Sequence, residues 1–235
     1  MTGPLKKYKW PVDRSYNYII GNQEDADVIN QFLSWLKSDT VFYDVGSNIG
    51  YYSFIANTVI TTGKIHAFEP TRFNCDLFEK IYALNRKRMG HNTIQFFEFA
   101  IADKEKEVLF SNDKRWAESN SYINNTVIEN SEKIKVQCYA IDGLIENGHA
   151  APNIIKIDVE GAELDVLIGA ASALKMYKPN ILLATHNCIV PGIKEKCIAY
   201  LQDLNYVLMH TGYHNKTMDG LDDYIAIHKD KIATA

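Results

Sequence analysis

The sequence has no apolar run approaching the ~20 residues a helix needs to cross a bilayer, so no membrane span is expected. It has no excess of positive charge: 25 Lys and Arg stand against 29 Asp and Glu, a formal net charge of −4. Without a global basic field, neither nucleic acid nor an anionic membrane is expected as the main partner. Cysteine is sparse. Cys75, Cys138, Cys188 and Cys197 form no CxxC pair, and no His lies at zinc-ligand spacing from two of them. They read as reduced, partly buried thiols of a cytosolic protein. Met1 to Trp10 is polar and basic with no apolar h-region behind it, so no secretory signal is visible and a cytoplasmic location is expected. Internal repeats and low-complexity tracts are absent too.

What is present is the material of one folded core. The 235 residues are 46% hydrophobic and 23% charged, an ordinary globular composition near the upper size for a single domain. Ile29, Phe32, Leu33 and Leu36 recur at helical spacing, predicting an amphipathic helix over Asp25–Ser38. Val41–Val45 reads as a strand closed by Gly46, a helix follows from near Gly50, and Lys64–Phe68 returns as a strand. Thr71 can cap a helix whose buried stripe is expected to be Phe73, Leu77, Ile81 and Leu84. The basic run Arg86-Lys87-Arg88 would close that helix against its dipole. Strands are expected at Thr93–Phe97, from Lys133, at Ile154–Val159 and at Ile181–Ala184. The near-continuous apolar character of the last two suits a parallel sheet covered on both faces.

A helix over Ile193–Leu204 then precedes strands at Tyr206–Met209 and Tyr224–Ile227, joined too closely for a crossover helix and hence antiparallel. The fold class is therefore α/β, a single Rossmann-like, doubly wound, mostly parallel sheet with an antiparallel last strand. Residues 1–24 read as an N-terminal extension and 25–235 as the domain, with a long polar loop or lid near 111–132.

The most informative stretch is Asp44-Val45-Gly46-Ser47-Asn48-Ile49-Gly50, between a strand and a helix. Gly46 lets the chain turn off the strand, and Gly50 is expected to let backbone approach a ligand at the helix start. Glu69 follows at the end of the next strand, where a carboxylate can accept both hydroxyls of a ribose. The glycines are spaced G-x-x-x-G, not the G-x-G-x-x-G that brings amides onto a pyrophosphate. Asp44 would repel a pyrophosphate but can receive the ammonium of an amino acid. S-adenosylmethionine carries such an ammonium, a ribose and no phosphate.

These residues, with a second block, resemble the FkbM-type methyltransferases of the class I (Rossmann-like) group. The second block is Asn153-Ile154-Ile155-Lys156-Ile157-Asp158-Val159-Glu160-Gly161-Ala162-Glu163, followed by Leu167-Ile168-Gly169-Ala170. Ala100-Ile101-Ala102-Asp103 and Thr185-His186 also match, and the resemblance runs from about Asp25 to the C-terminus. It implies transfer of a methyl group from S-adenosylmethionine, with S-adenosylhomocysteine as product, to a hydroxyl of a sugar, nucleotide-sugar or other natural-product scaffold. Carried over by position, Asp44, Gly46, Ser47, Asn48 and Gly50 would surround the methionine part and Glu69 the ribose. Ala102 and Asp103 would face the adenine, and Asp158 would lie beside the sulfonium and the acceptor. One departure stands out: this chain has Ala184-Thr185-His186 where the family often has Glu before the strand-end His, so no carboxylate is available there to bind a metal or orient the base.

A sugar hydroxyl is a weak acid, so a base beside it is useful. Asp158, Glu160 and His186 are the candidates, and an imidazole titrates at ~6.5 when unperturbed. Lys156 falls on the same strand face as Asp158 and can pair with it. The ligand types at Asp158, Glu160 and His186 are compatible with a divalent ion, though no spacing demands one.

Arg115, Trp116, Ser119, Asn120, Ser121 and Tyr122 in the polar loop, with His210, Tyr213 and His214, are further candidates for facing a carbohydrate. Alternatives are an N-methyltransferase or a methyltransferase for a non-sugar hydroxyl, and a non-catalytic Rossmann-like binding module. A nicotinamide oxidoreductase is disfavoured by the missing third glycine and by Asp44. Oligomeric state is not legible.

Overall fold

The structure, a computed structural model, describes residues 4–10, 26–89, 94–112, 132–214 and 220–232. In chain order the elements are α1 (Ala26–Trp35), β1 (Val41–Val45), α2 (Tyr51–Asn57), β2 (Lys64–Phe68), α3 (Arg72–Asn85), β3 (Ile94–Phe97), β4 (Ala100–Ile101), β5 (Lys106–Asn112) and β6 (Glu132–Tyr139). There follow α4 (Ile141–Glu146), β7 (Ile154–Ile157), α5 (Glu163–Ile168), α6 (Ala171–Met176), β8 (Asn180–His186), α7 (Ile193–Asp203), β9 (Tyr206–His214), β10 (Leu221–His228) and α8 (Lys229–Ile232).

Seven strands form one sheet in the order β3-β2-β1-β7-β8-β10-β9. From β3 to β8 every pairing is parallel, and β10 runs antiparallel to both β8 and β9. The strand order reverses between β1 and β7, the place where open α/β sheets bind ligands outside their carboxyl ends.

Strand alternation divides the apolar residues between two cores. Phe42, Ile65, Ile154 and Leu182 face one side, where Phe32 of α1, Phe54 of α2 and Phe78 and Ile81 of α3 cover them. Tyr43, Phe68, Ile155, Ile157 and Leu183 face the other, beneath Ile141, Val166, Leu174 and Leu201 of α4 to α7. A fully buried phenylalanine such as Phe32 contributes ~1.5–3 kcal/mol, so the two cores dominate the fold's stability.

Two expectations are corrected. The buried face of α3 is Asn74, Cys75, Phe78, Ile81 and Asn85, whereas the expected Phe73 and Leu84 are exposed. The face is turned because Asn74 and Asn85 are buried for their hydrogen bonds: Asn74 donates to Glu69, and Asn85 donates to the Lys9 carbonyl at 2.7 Å and accepts from the Lys9 amide at 2.6 Å. The polar loop also begins later than expected. Ser111 and Asn112 belong to β5, paired with Lys133 and Glu132 of β6, in a separate three-stranded sheet of order β4-β6-β5. Arg115, Trp116, Ser119, Asn120, Ser121 and Tyr122 lie outside the described residues.

Leu5 and Trp10, within the expected extension, are buried on the α2 side of the sheet. The Trp10 ring meets Phe54 edge-on at 5.6 Å and Tyr51 at 6.4 Å.

Candidate active site

The turn after β1 has left-handed backbone at Gly46 (φ 71°), Asn48 (φ 51°) and Gly50 (φ 86°). A Cβ on Gly46 would stand 1.9 Å from the Asp158 carbonyl oxygen, so glycine lets β1 pass against the end of β7. At Gly50 a Cβ would meet the Phe78 ring at 2.4 Å, so glycine there also lets the start of α2 pack against α3.

Asp44, Lys156, Asp158 and His186 converge at the carboxyl ends of β1, β7 and β8. Asp44 and Lys156 are register partners on adjacent parallel strands, so they share a sheet face. Asp44 is fully buried; its Oδ2 accepts from the Ser53 amide at 3.0 Å and the Ser53 hydroxyl at 2.7 Å. Its Oδ1 accepts no hydrogen bond among the described residues, and Lys156 Nζ is 3.7 Å away. Lys156 Nζ donates to the Gly46 carbonyl at 2.8 Å and pairs with Asp158 Oδ2 at 3.2 Å, as the strand-face reading anticipated. Beyond Asp158, His186 Nε2 lies 3.6 Å from Oδ1, and His186 Nδ1 is 2.6 Å from Glu163 Oε1. Carboxylate, ammonium, carboxylate, imidazole and carboxylate therefore alternate along one line.

β7 ends at Ile157, two residues short of the expected Val159. Glu160 (φ 53°) and Gly161 (φ 106°) then turn the chain into α5. Glu160 thus sits in a turn rather than on a strand face, with its Oε2 buried and without a hydrogen bond.

The electrostatics follow from burial and this ordering. Burial pushes the Glu160 carboxyl up to about 8, helped by the charge of Asp158. Burial alone would lower His186, but the bond to Glu163 and the nearby Asp158 outweigh it and raise the imidazole to about 9. For Asp158 burial acts upward, while Lys156 and then His186 outweigh it and hold the carboxyl below its usual range. At neutral pH the exposed anion of the cluster is Asp158, whose side chain is 42% accessible against 6% for His186.

Glu69 is buried at the end of β2 and almost saturated. Oε1 accepts from the Thr71 amide at 3.0 Å, the Thr71 hydroxyl and Asn74 Nδ2 at 3.2 Å. Among the described residues Oε2 accepts only from the Asn48 amide, at 3.1 Å. A carboxylate offers about four lone-pair sites, so Oε2 is the oxygen with capacity left. The Ser47 hydroxyl is buried and makes no hydrogen bond among the described residues.

Ala102 and Asp103 are held elsewhere. The Ala102 amide donates to the Tyr139 carbonyl at 2.9 Å, and Asp103 pairs with Lys106, which also reaches Asp165 at 3.5 Å. His210 accompanies Lys194 on Asp222, at 3.2 and 3.0 Å. Tyr213 and His214 fall in β9, but their side chains lie outside the described residues. Thr185 donates to the Asp222 carbonyl at 3.0 Å, and Ala184, where the family often has Glu, supplies no polar atom.

The residue that sequence reasoning passed over is Glu163, fully buried against His186. Its signal was its place as the last acidic residue of the Lys156–Glu163 string. Among the described residues no group of three or more His, Cys, Asp and Glu is arranged to hold a metal, and no helix is long and apolar enough to cross a membrane.

A parallel sheet reversing between β1 and β7, finished by an antiparallel β10, with acidic residues at the carboxyl ends of β1, β2 and β7, is the class I methyltransferase fold. The Methyltransferase FkbM domain matches residues 44–208, and the chain belongs to that family. The hexuronic acid methyltransferase AglP of Haloferax volcanii is 32% identical over 152 residues, 64% of this chain and 58% of AglP. The chain thus matches little more than half the length of that relative. The methyltransferase sdnD of Sordaria araneosa is 26% identical over 196 residues, 73% of this chain and 75% of sdnD. A solved FkbM methyltransferase from Methylobacillus flagellatus has a TM-score of 0.58 at 17% identity, over 82% of this chain and 44% of that one. At that identity the likeness speaks for the fold alone.

Proposed function

We propose that the protein is an S-adenosylmethionine-dependent O-methyltransferase acting on a hydroxyl of a sugar, nucleotide-sugar or glycosylated acceptor. The observation that carries this reading is the buried Asp44 Oδ1, beside the Gly46–Gly50 turn, which accepts no hydrogen bond among the described residues, with Lys156 Nζ at 3.7 Å. The ammonium of S-adenosylmethionine is a donor that would complete such an oxygen. Ser47 Oγ and Glu69 Oε2 supply further unfilled capacity for the polar edge of the same ligand. Asp44, Ser47 and Asn48 would hold the amino-acid part, Glu69 the ribose, and Ala102 and Asp103 would border the adenine. The aligned charges comprise three carboxylates and two cations, a surplus that suits a positively charged methyl donor.

When bound, S-adenosylmethionine supplies an electrophilic methyl on a good leaving group. The chain then has to orient the acceptor and dispose of one proton. Asp158 is the ionised, accessible group, and its Oδ1 accepts the hydroxyl proton as the acceptor oxygen becomes methylated. A carboxylate held below its usual range is a weak base, yet it suffices, because a methylated oxygen still carrying its proton is strongly acidic. His186, protonated at neutral pH, keeps the Asp158 carboxylate charged and fixed. The exposed Asp158 edge returns the proton to solvent. The relative AglP, named for hexuronic acid, supports a sugar acid as acceptor class.

Calorimetric titration of S-adenosylhomocysteine, with NAD in parallel and Asp44→Ala as control, tests the donor site. Micromolar binding of the first alone, lost in the variant, supports the reading; a folded protein that binds neither overturns it. Transfer of labelled methyl to UDP-glucuronic acid or free glucuronic acid tests the acceptor class.

A further inference from the structure

We propose that Glu163 is a positioning residue: by accepting the Nδ1 proton of His186 it holds the ring, fixes the tautomer of its neutral form and aims Nε2 at Asp158. The inference rests on the methyl-transfer reading only for its consequence, not for its geometry.

Glu163 is fully buried and places Oε1 2.6 Å from His186 Nδ1. The same oxygen accepts the Gly161 amide at 2.8 Å, so the carboxylate is pinned by the turn that leads into α5. That turn takes two successive left-handed residues, one of them the non-glycine Glu160, a conformation that costs of order 1 kcal/mol and persists where the surroundings over-determine it. The return is delivery of Glu163 to the imidazole. With Nδ1 committed to a carboxylate, Nε2 is the nitrogen left to act.

Nε2 stands 3.6 Å from Asp158 Oδ1, too far for a direct hydrogen bond. An oxygen atom at hydrogen-bonding distance from both can bridge them, so the pair forms a seat for an acceptor hydroxyl. Glu163 does not reach that seat; it acts through His186. The charged groups facing His186 are Glu163 from α5, and Asp158 and Glu160 from the turn after β7. Lys156 stands behind Asp158, and β10 contributes Leu221 opposite in register.

The test is long-range proton–nitrogen NMR of the full chain labelled at histidine nitrogen, over pH 5.5 to 10.5, with His186→Asn assigning the signal. The expected wild-type result is a neutral form protonated at Nδ1 and a midpoint near about 9. In Glu163→Gln the midpoint falls by more than one pH unit and the neutral form becomes a mixture of tautomers. In Glu163→Asp the midpoint lies between the two. An Nε2-protonated neutral form in the wild type, or an unmoved midpoint in Glu163→Gln, overturns the proposal. Where Glu163→Gln does not fold, the wild-type tautomer decides alone. The spectra need no substrate, so a folded protein that fails to bind S-adenosylhomocysteine yet keeps the Nδ1 proton rejects the methyl-transfer reading and leaves this one standing.

Discussion

Lys156 lies directly across the β1–β7 register from Asp44, and among the described residues its ammonium is the cation placed between Asp44 and Asp158. Asp44 and Lys156 lie on the sheet face that meets α2 and are taken almost wholly out of water, while Asp158 follows just past the end of β7. Such an arrangement holds two carboxylates together at the cost of desolvating a lysine, and it makes the lysine indispensable to both.

Lys156→Met therefore leaves two carboxylates facing each other without their cation. Removing one partner of a buried pair costs about 3–5 kcal/mol, and a drop of that order is expected in urea unfolding. An unchanged midpoint would show that Lys156 contributes nothing net.

The glycines form a graded series. Gly192→Ala adds a Cβ into open space at φ 83° and should cost only the ~1–2 kcal/mol of left-handed backbone. Gly50→Ala adds a collision with the Phe78 ring, which is itself stacked against Phe54 and Phe96. Gly46→Ala drives a Cβ into backbone at Asp158 and should be the worst. Denaturation midpoints falling in that order check the account; Gly46→Ala behaving like Gly192→Ala contradicts it.

Stability should fall with rising pH on the alkaline side. His186 and Glu160 both have folded values above their unfolded ones, so each binds its proton more tightly in the folded chain. Glu160 contributes fully below about 4.5 and loses the contribution as pH rises through about 8; His186 does so between about 6.5 and 9. Asp158, held low, acts the other way and weakens the fold only as pH drops below the ordinary carboxylate range. Melting temperature is expected to decline between pH 6 and 9.5, and less steeply in Glu160→Gln. Equal slopes in the two proteins would remove Glu160 from the explanation.

Asp158→Asn keeps the side chain's shape and removes its charge. Loss of a proton acceptor at the reacting oxygen typically costs 10²–10⁴ in rate, so kcat is expected to fall by roughly 10² or more with little change in KM. A variant that kept wild-type kcat while losing acceptor affinity would assign Asp158 to binding instead.

Much of the fold was legible in advance because its signals are local. The apolar runs expected at Ile154–Val159 and Ile181–Ala184 marked parallel strands, and the short link between the last two strands marked their antiparallel pairing. The α3 stripe was misread because Asn74 and Asn85 are buried for hydrogen bonds to Glu69 and to the Lys9 backbone, contacts a hydrophobic periodicity cannot register. The β4-β6-β5 sheet was missed because Lys106–Asn112 alternates weakly and takes its strand form from pairing with β6.

The sequence by itself determined which residue types stand at the ends of β1, β2, β7 and β8, since each follows an apolar strand and the pattern is contiguous along the chain. Only the tertiary structure decided what those residues are to one another. It made Lys156 a bridge between Asp44 and Asp158, nearly saturated Glu69, and gave Gly50 a packing partner in Phe78. It also brought Glu163, the first residue of α5, against the imidazole at the end of β8. Burial and charge proximity set protonation, and both depend on side chains 23 positions apart meeting in space, which no local pattern encodes.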